Sequence, residues 1–258
     1  MEVVPNRNGL RSDLLFIILA GLAIGTALAG CSGVNEFSME HGPEYVTASP
    51  VTEAIFTDQV SQTSRFAASA DARTDPRPVI ACFGDSLTAG YGMDRDQSYP
   101  AVLQRRLDEA GFHYRVVNEG VSGDTTKDGL GRIGHVLAQK PQIVVLEFGG
   151  NDGLRGLPVT VAQRNIAAMI EQLQHGGARV ALAGITVPPQ YGSQYISQFN
   201  AMFPALARQY HLPLLPFLLQ GVWGVEGDIQ PDGVHPTAQG ARRVAVNVQK
   251  LIEPMLKR

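Results

Sequence analysis

From residue 78 onward, short runs that are apolar throughout alternate with longer stretches in which apolar residues recur every three to four positions. Val79-Ile80-Ala81-Cys82-Phe83 is a compact apolar run that stops at Gly84, which predicts a buried strand. Further strands are expected over 114–117, 143–148, 178–185 and 212–218. Between them lie helical periods. Over 98–111, Tyr99, Val102, Leu103 and Leu107 share one face and Gly111 ends the pattern. A helix over 130–137 carries several glycines. Over 160–174, Ala162, Ile166, Met169, Ile170 and Leu173 form one stripe, Thr160 and Gln163 have the spacing of a capping box, and Gly176-Gly177 closes the helix. Helices over 195–210 and from 238 to about 257, broken or ended near Pro254, complete the series. Strands that are apolar throughout need cover on both faces, so the alternation predicts a three-layer α/β/α sandwich around a central parallel five-stranded sheet. Reactive groups in such a fold belong beyond the C-terminal ends of the strands.

The first 77 residues follow neither period. Residues 1–13 are polar and carry Arg7 and Arg11, and an apolar segment, LLFIILAGLAIGTAL, follows. At about 15 residues it is shorter than the ~20 a spanning helix needs. A basic start, a short apolar centre and small residues at its end describe a secretory leader over 1–30. Leu28-Ala29-Gly30-Cys31 resembles the bacterial lipobox, which implies a lipidated Cys31 as the first mature residue. By resemblance to the usual lipoprotein sorting pattern, Ser32 in place of Asp implies the outer membrane, so the expected location is its periplasmic face. Residues 31–77 are rich in Ser, Thr, Ala, Asp and Pro and read as a tether, which leaves 78–258 as the folded domain.

Composition narrows the chemistry. The 258 residues are 44% hydrophobic and 17% charged with a formal net charge of −3, so no basic field invites nucleic acid. Cys31 and Cys82 are the two cysteines, and no zinc-type pairs occur. Cys82, in the middle of the first strand, is expected to be a buried, inert thiol. His41, His113, His135, His175 and His211 lack ligand-like spacing, and neither metal nor cofactor is expected.

Four short blocks meet the positional demand of the fold. Gly84-Asp85-Ser86-Leu87-Thr88 follows the first strand, and Gly120-Val121-Ser122-Gly123-Asp124-Thr125-Thr126 the second. Gly149-Gly150-Asn151-Asp152 follows the third, and Asp232-Gly233-Val234-His235-Pro236 lies beyond the fifth. A serine hydroxyl becomes a useful nucleophile when a histidine takes its proton and an acceptor orients that histidine. Asp232 and His235 are three residues apart with Gly233 between them, a spacing that lets the carboxylate fold back onto the imidazole. Ser86 N–H, Gly123 N–H and the Asn151 side chain are candidate donors to a developing oxyanion. Asp124 and Asp152 read as caps and loop braces. A phosphate loop is disfavoured because no Walker lysine follows Gly123, and the G-x-S-x-G elbow of α/β-hydrolases is absent around Ser86.

GDSLTAGYG, VSGDTT, GGNDGLRGLP and DGVHP resemble the blocks of the GDSL/SGNH hydrolases, and most closely the bacterial arylesterase, acyl-CoA thioesterase I and lysophospholipase L1 branch. The resemblance implies a flavodoxin-like SGNH fold with Ser86 as nucleophile, Asp232 and His235 as its partners, and Ser86, Gly123 and Asn151 as the oxyanion hole. It also implies a substrate-gripping loop after the fourth strand, where Val187-Pro188-Pro189-Gln190-Tyr191-Gly192 stands. Leu157, Pro158, Pro189 and Tyr191 are therefore expected to line an acyl groove. The activity implied is hydrolysis of aryl esters, lysophospholipids or acyl thioesters through an acyl-Ser86 intermediate. Two alternatives stay open: an O-acetyl carbohydrate deacetylase of the cell envelope, separable by its preference for acetyl over fatty-acyl groups, and a non-catalytic envelope lipoprotein, separable by failure of Ser86 to take a fluorophosphonate.

Overall fold

A computed structural model describes residues 75–258. The expected leader over 1–30, Cys31 and nearly all of the tether lie outside the described residues. Five strands, β1 (Val79–Gly84), β2 (Arg115–Gly120), β3 (Ile143–Glu147), β4 (Arg179–Ala183) and β5 (Leu214–Leu215), form one parallel sheet in the order β2-β1-β3-β4-β5. That order is the doubly wound flavodoxin-like one, with its switch point between β1 and β3. Gly84 of β1 pairs in register with Gly120 of β2, so the two chains leave the sheet side by side.

Seven α-helices cover the sheet among the described residues: α1 (Ser86–Ala89), α2 (Tyr99–Glu109), α3 (Thr126–Ala138), α4 (Gly150–Leu154), α5 (Val159–His175), α6 (Ser193–Tyr210) and α7 (Ala238–Ile252). On one face α2 packs against α7, and on the other α5 packs between α3 and α6. This is the expected sandwich. Ile80 to Phe83, Ile143 to Leu146 and Val180 to Ala183 are buried between the layers, as apolar strands with cover on both faces must be. Each fully buried Ile, Leu or Phe contributes about 1.5–3 kcal/mol, so the three central strands hold the scaffold rigid beneath the loops. Cys82 is wholly buried, and burial pushes its thiol up to about 12.

The differences from expectation have local causes. α3 starts at Thr126 rather than near 130, because Thr125 and Asp128 form a reciprocal capping box. The expected box at Thr160 and Gln163 does not form: α5 begins at Val159 with Pro158 as its N-cap, and no side chain caps it. The Pro158 ring, at φ −58, already directs the chain into the helix. β5 shrinks to two residues because Pro216 has no N–H to continue the ladder. α7 ends at Ile252 and passes into a 3-10 turn, Glu253–Met255, around Pro254.

Candidate active site

All four blocks emerge at the C-terminal edge of the sheet. Ser86 is the first residue of α1, two positions beyond β1. Asp85 caps that helix by accepting the Leu87 N–H at 3.0 Å. Ser86 N–H, in the first turn of the helix, has no intrahelical acceptor. Gly84 is required by crowding, since a Cβ there would meet the Thr88 hydroxyl and the Glu147 carboxyl.

Asp232 and His235 reach Ser86 from the loop before α7. Gly233, at φ +75, makes the turn that the three-residue spacing requires. Asp232 Oδ1 accepts the N–H groups of Val234 (2.9 Å) and His235 (3.0 Å). Its Oδ2 accepts from His235 Nδ1 at 2.6 Å, and His235 Nε2 lies 2.8 Å from Ser86 Oγ. Burial alone would raise the Asp232 carboxyl. The two N–H groups and then the imidazole outweigh it and hold the group below its usual range, so it stays an acceptor.

Gly123 and Asn151 stand on the other side of Ser86. Gly123 takes φ +88, and its carbonyl accepts from Arg155 Nη2 at 3.0 Å. Its N–H makes no backbone bond among the described residues. Asn151, in the first turn of α4, donates through Nδ2 to Asp124 O (2.9 Å) and to Asp85 Oδ2 (3.3 Å). Asp124 and Asp152 are braces, as expected. Asp124 holds Arg132 at 2.6 Å, and buried Asp152 accepts from Thr126 N (2.8 Å) and Thr126 Oγ1 (2.6 Å). Beneath α1, Glu147 is fully buried and accepts from Thr88 Oγ1 at 2.9 Å. Burial first, and then the nearby Asp85, pushes its carboxyl well above the usual carboxylate range.

A cavity of about 190 Å³ opens beside the Ser86–His235 pair. Its apolar walls come from Leu154 after β3, from Val187 and Pro188 after β4, and from Phe217, Leu219 and Trp223 after β5. Leu157, Pro158, Pro189 and Tyr191, expected to line it, are not among its lining residues. Past Pro188 the chain turns into a 3-10 segment, Pro189–Tyr191, that points the Tyr191 hydroxyl onto Leu154 O at 2.6 Å. The Tyr195 hydroxyl likewise holds Leu157 O at 2.8 Å. Sequence reasoning missed Arg155 and Tyr91, although both lie within or beside the blocks. The Tyr91 ring lies 4.6 Å from the His235 imidazole, tilted by 39°. Its signal was its place in GDSLTAGYG, beside the nucleophile. Among the described residues no group of three His, Cys, Asp or Glu side chains is placed to hold a metal ion.

Known proteins resemble this chain in sequence and fold. Residues 82–243 match the GDSL-like lipase/acylhydrolase family. The chain is 45% identical over 179 residues to Esterase TesA of Pseudomonas aeruginosa, covering 69% of this chain and 89% of that protein. It is 34% identical over 179 residues to thioesterase 1/protease 1/lysophospholipase L1 of Escherichia coli K12, covering 69% of this chain and 85% of that protein. A crystal structure of TesA superposes with a TM-score of 0.67 at 44% identity, covering 69% of this chain and 99% of the other. Over its folded domain, therefore, this chain belongs to the GDSL-like lipase/acylhydrolase family.

Proposed function

We propose that the domain is a serine esterase and thioesterase that hydrolyses acyl esters through an acyl-Ser86 intermediate, with aryl esters, lysophospholipids and acyl thioesters as its substrate classes. The observation that carries this reading is the continuous hydrogen-bond chain from Ser86 Oγ through His235 to Asp232. As Ser86 Oγ attacks the carbonyl carbon, its proton passes to His235 Nε2, and Asp232 stabilises the imidazolium that forms. The carbonyl oxygen becomes an oxyanion within reach of Ser86 N–H, Gly123 N–H and the Asn151 amide. Of the two bonds Asn151 makes at rest, the longer one, to Asp85, is the one an oxyanion displaces. Collapse breaks the bond to the alcohol or thiol, which leaves with the proton from His235. Water then repeats the sequence on the acyl-enzyme and frees Ser86.

The relative named thioesterase 1/protease 1/lysophospholipase L1 supports a fatty-acyl ester over a carbohydrate acetyl ester, as does the apolar cavity. The test is hydrolysis of p-nitrophenyl acetate, butyrate and octanoate by the full-length protein in detergent, beside its Ser86→Ala form. The expected result is turnover on all three esters, lower by roughly 10⁴–10⁶ in the variant. Equal rates for the two forms, or none for either, overturn the reading. A profile confined to acetate moves the assignment to a deacetylase.

Cys31 adds a location to the chemistry. The apolar segment followed by Leu-Ala-Gly-Cys supports a lipidated Cys31 that anchors residues 78–258, through a polar tether, to the periplasmic face of the outer membrane.

A further inference from the structure

Ser86 and His235 come from two segments, 86–94 and 228–237, that meet at the sheet edge. Among the described residues two hydrogen bonds join these segments. One is the Ser86–His235 pair itself, at 2.8 Å. The other comes from Gln230, whose Nε2 donates to Tyr91 O at 2.8 Å and also to Pro236 O at 2.8 Å. The main chain of Gln230 is tied to the histidine segment: its N–H donates to His235 O at 2.8 Å, and its carbonyl accepts from Gly233 N–H at 3.0 Å. Tyr91 is tied to the serine. Its N–H donates back to Ser86 O at 3.1 Å, and its ring lies 4.6 Å from the His235 imidazole. The bonds close a ring that runs Ser86, Tyr91, Gln230, His235 and back to Ser86. Gly92 leaves the room the amide needs, since a Cβ there would strike Gln230 Oε1.

A side-chain amide carries two N–H donors, so one group can hold two carbonyls at once. That matters because the Ser86–His235 bond cannot join the segments throughout the reaction. With an acyl group on Ser86 Oγ, that oxygen has no proton to share, and His235 Nε2 must serve the attacking water instead. The bonds of Gln230 involve neither reacting atom and remain in place at that stage. We propose that Gln230 is a positioning residue: it fastens the His235 segment to the turn after Ser86, and so keeps the imidazole within reach first of the serine and then of the water. This rests on Ser86 and His235 being nucleophile and base. Proton transfer needs a donor and acceptor about 2.6–3.2 Å apart, and a misplacement of about 1 Å costs on the order of a hundredfold in rate.

The test removes the two donors and keeps apolar bulk in their place. Gln230→Met and Gln230→Leu are compared with the parent as full-length proteins in detergent. Each is treated with ethyl p-nitrophenyl ethylphosphonate, from which Ser86 Oγ displaces p-nitrophenol as its bond to phosphorus forms. The amount released counts the molecules with a working Ser86, and the rate of release reports how well His235 takes the proton. The expected result is stoichiometric release from both variants, as from the parent, but roughly 10–100 times more slowly. In parallel, kcat for p-nitrophenyl butyrate should fall by a similar or larger factor, with KM within about twofold of the parent's. A purely structural role gives less product at the parental rate, and that result overturns the proposal. A parental rate in either variant overturns it too, because neither has the donors. Variants that unfold before they react make Gln230 a folding residue, which also overturns it. No release from the parent overturns the nucleophile, and the positioning role with it.

Discussion

Asp85 sits between Ser86 and Asn151 and is only 2% exposed, a costly place for a carboxylate. Burial raises its pKa to about 6, the Leu87 N–H and His235 pull the other way, and the charges of Asp124 and Asp152 add to the rise. Because the folded-state value lies above the ordinary 3.8, the folded protein holds this proton more tightly than the unfolded chain between about pH 4 and pH 6. Raising pH through that window therefore removes stability, and above pH 6 the ionised group imposes its full cost. Asp85→Asn keeps an acceptor for Leu87 N–H without the charge. Its stability relative to the parent should rise between pH 4.5 and pH 7.5 by an amount of the order of 2 kcal/mol. Urea unfolding midpoints of both proteins at the two pH values measure this, and a constant gap would show that Asp85 does not titrate in the window. A catalytic benefit explains why such a group is kept: it accepts from the Asn151 amide and caps the helix that presents Ser86.

At the scale of elements, the strand-to-helix turns carry the function, and their glycines differ in kind. A Cβ on Gly120 would run into the backbone of Thr88 and Ala89, the helix that carries Ser86, so Gly120→Ala must push β2 and α1 apart. A Cβ on Gly123 meets nothing within 4 Å, but the residue sits at φ +88, so the cost of Gly123→Ala is conformational. Gly120→Ala should lose roughly 1–3 kcal/mol of stability through steric strain. Gly123→Ala should lose about 1–2 kcal/mol and lower kcat by turning its N–H away from the oxyanion. Thermal unfolding beside kcat for p-nitrophenyl butyrate separates them, and a Gly120→Ala protein as stable as the parent would remove the crowding argument. The elements themselves were unevenly legible. β1, β3 and the stripe of α5 stood out because each is a long, regular pattern of burial. α1 and α4 were invisible, because helices of four and five residues are too short to show a 3.6-residue period. The capping box of α3 uses Asp128 where Glu or Gln is the usual signal, so Thr125 read as loop.

For the whole molecule, the parallel sheet gathers loops from distant parts of the chain at one edge, and the N-terminal segment is proposed to decide where that edge works. Cys31→Ala should move the protein from the membrane pellet to the soluble fraction, with turnover of p-nitrophenyl butyrate per mole of protein retained. Fractionation with an activity assay measures both, and a variant that still pellets with membranes would refute lipid anchoring through Cys31.

The sequence by itself determined the alternation that makes a parallel sandwich, the four blocks at its strand ends and the Asp232–His235 spacing. Those features are local: a period, a glycine or a three-residue step constrains the backbone around it whatever the rest of the chain does. Only the tertiary structure decided the cavity. Its walls are single side chains after β3, β4 and β5, and which of them face inward depends on the turn at Pro188 and on the packing of Phe217 against Trp223. Leu157, Pro158, Pro189 and Tyr191 lie in or beside the same loops yet do not line the cavity. Position along a loop does not fix the direction of a side chain; the contacts made across the sheet edge do.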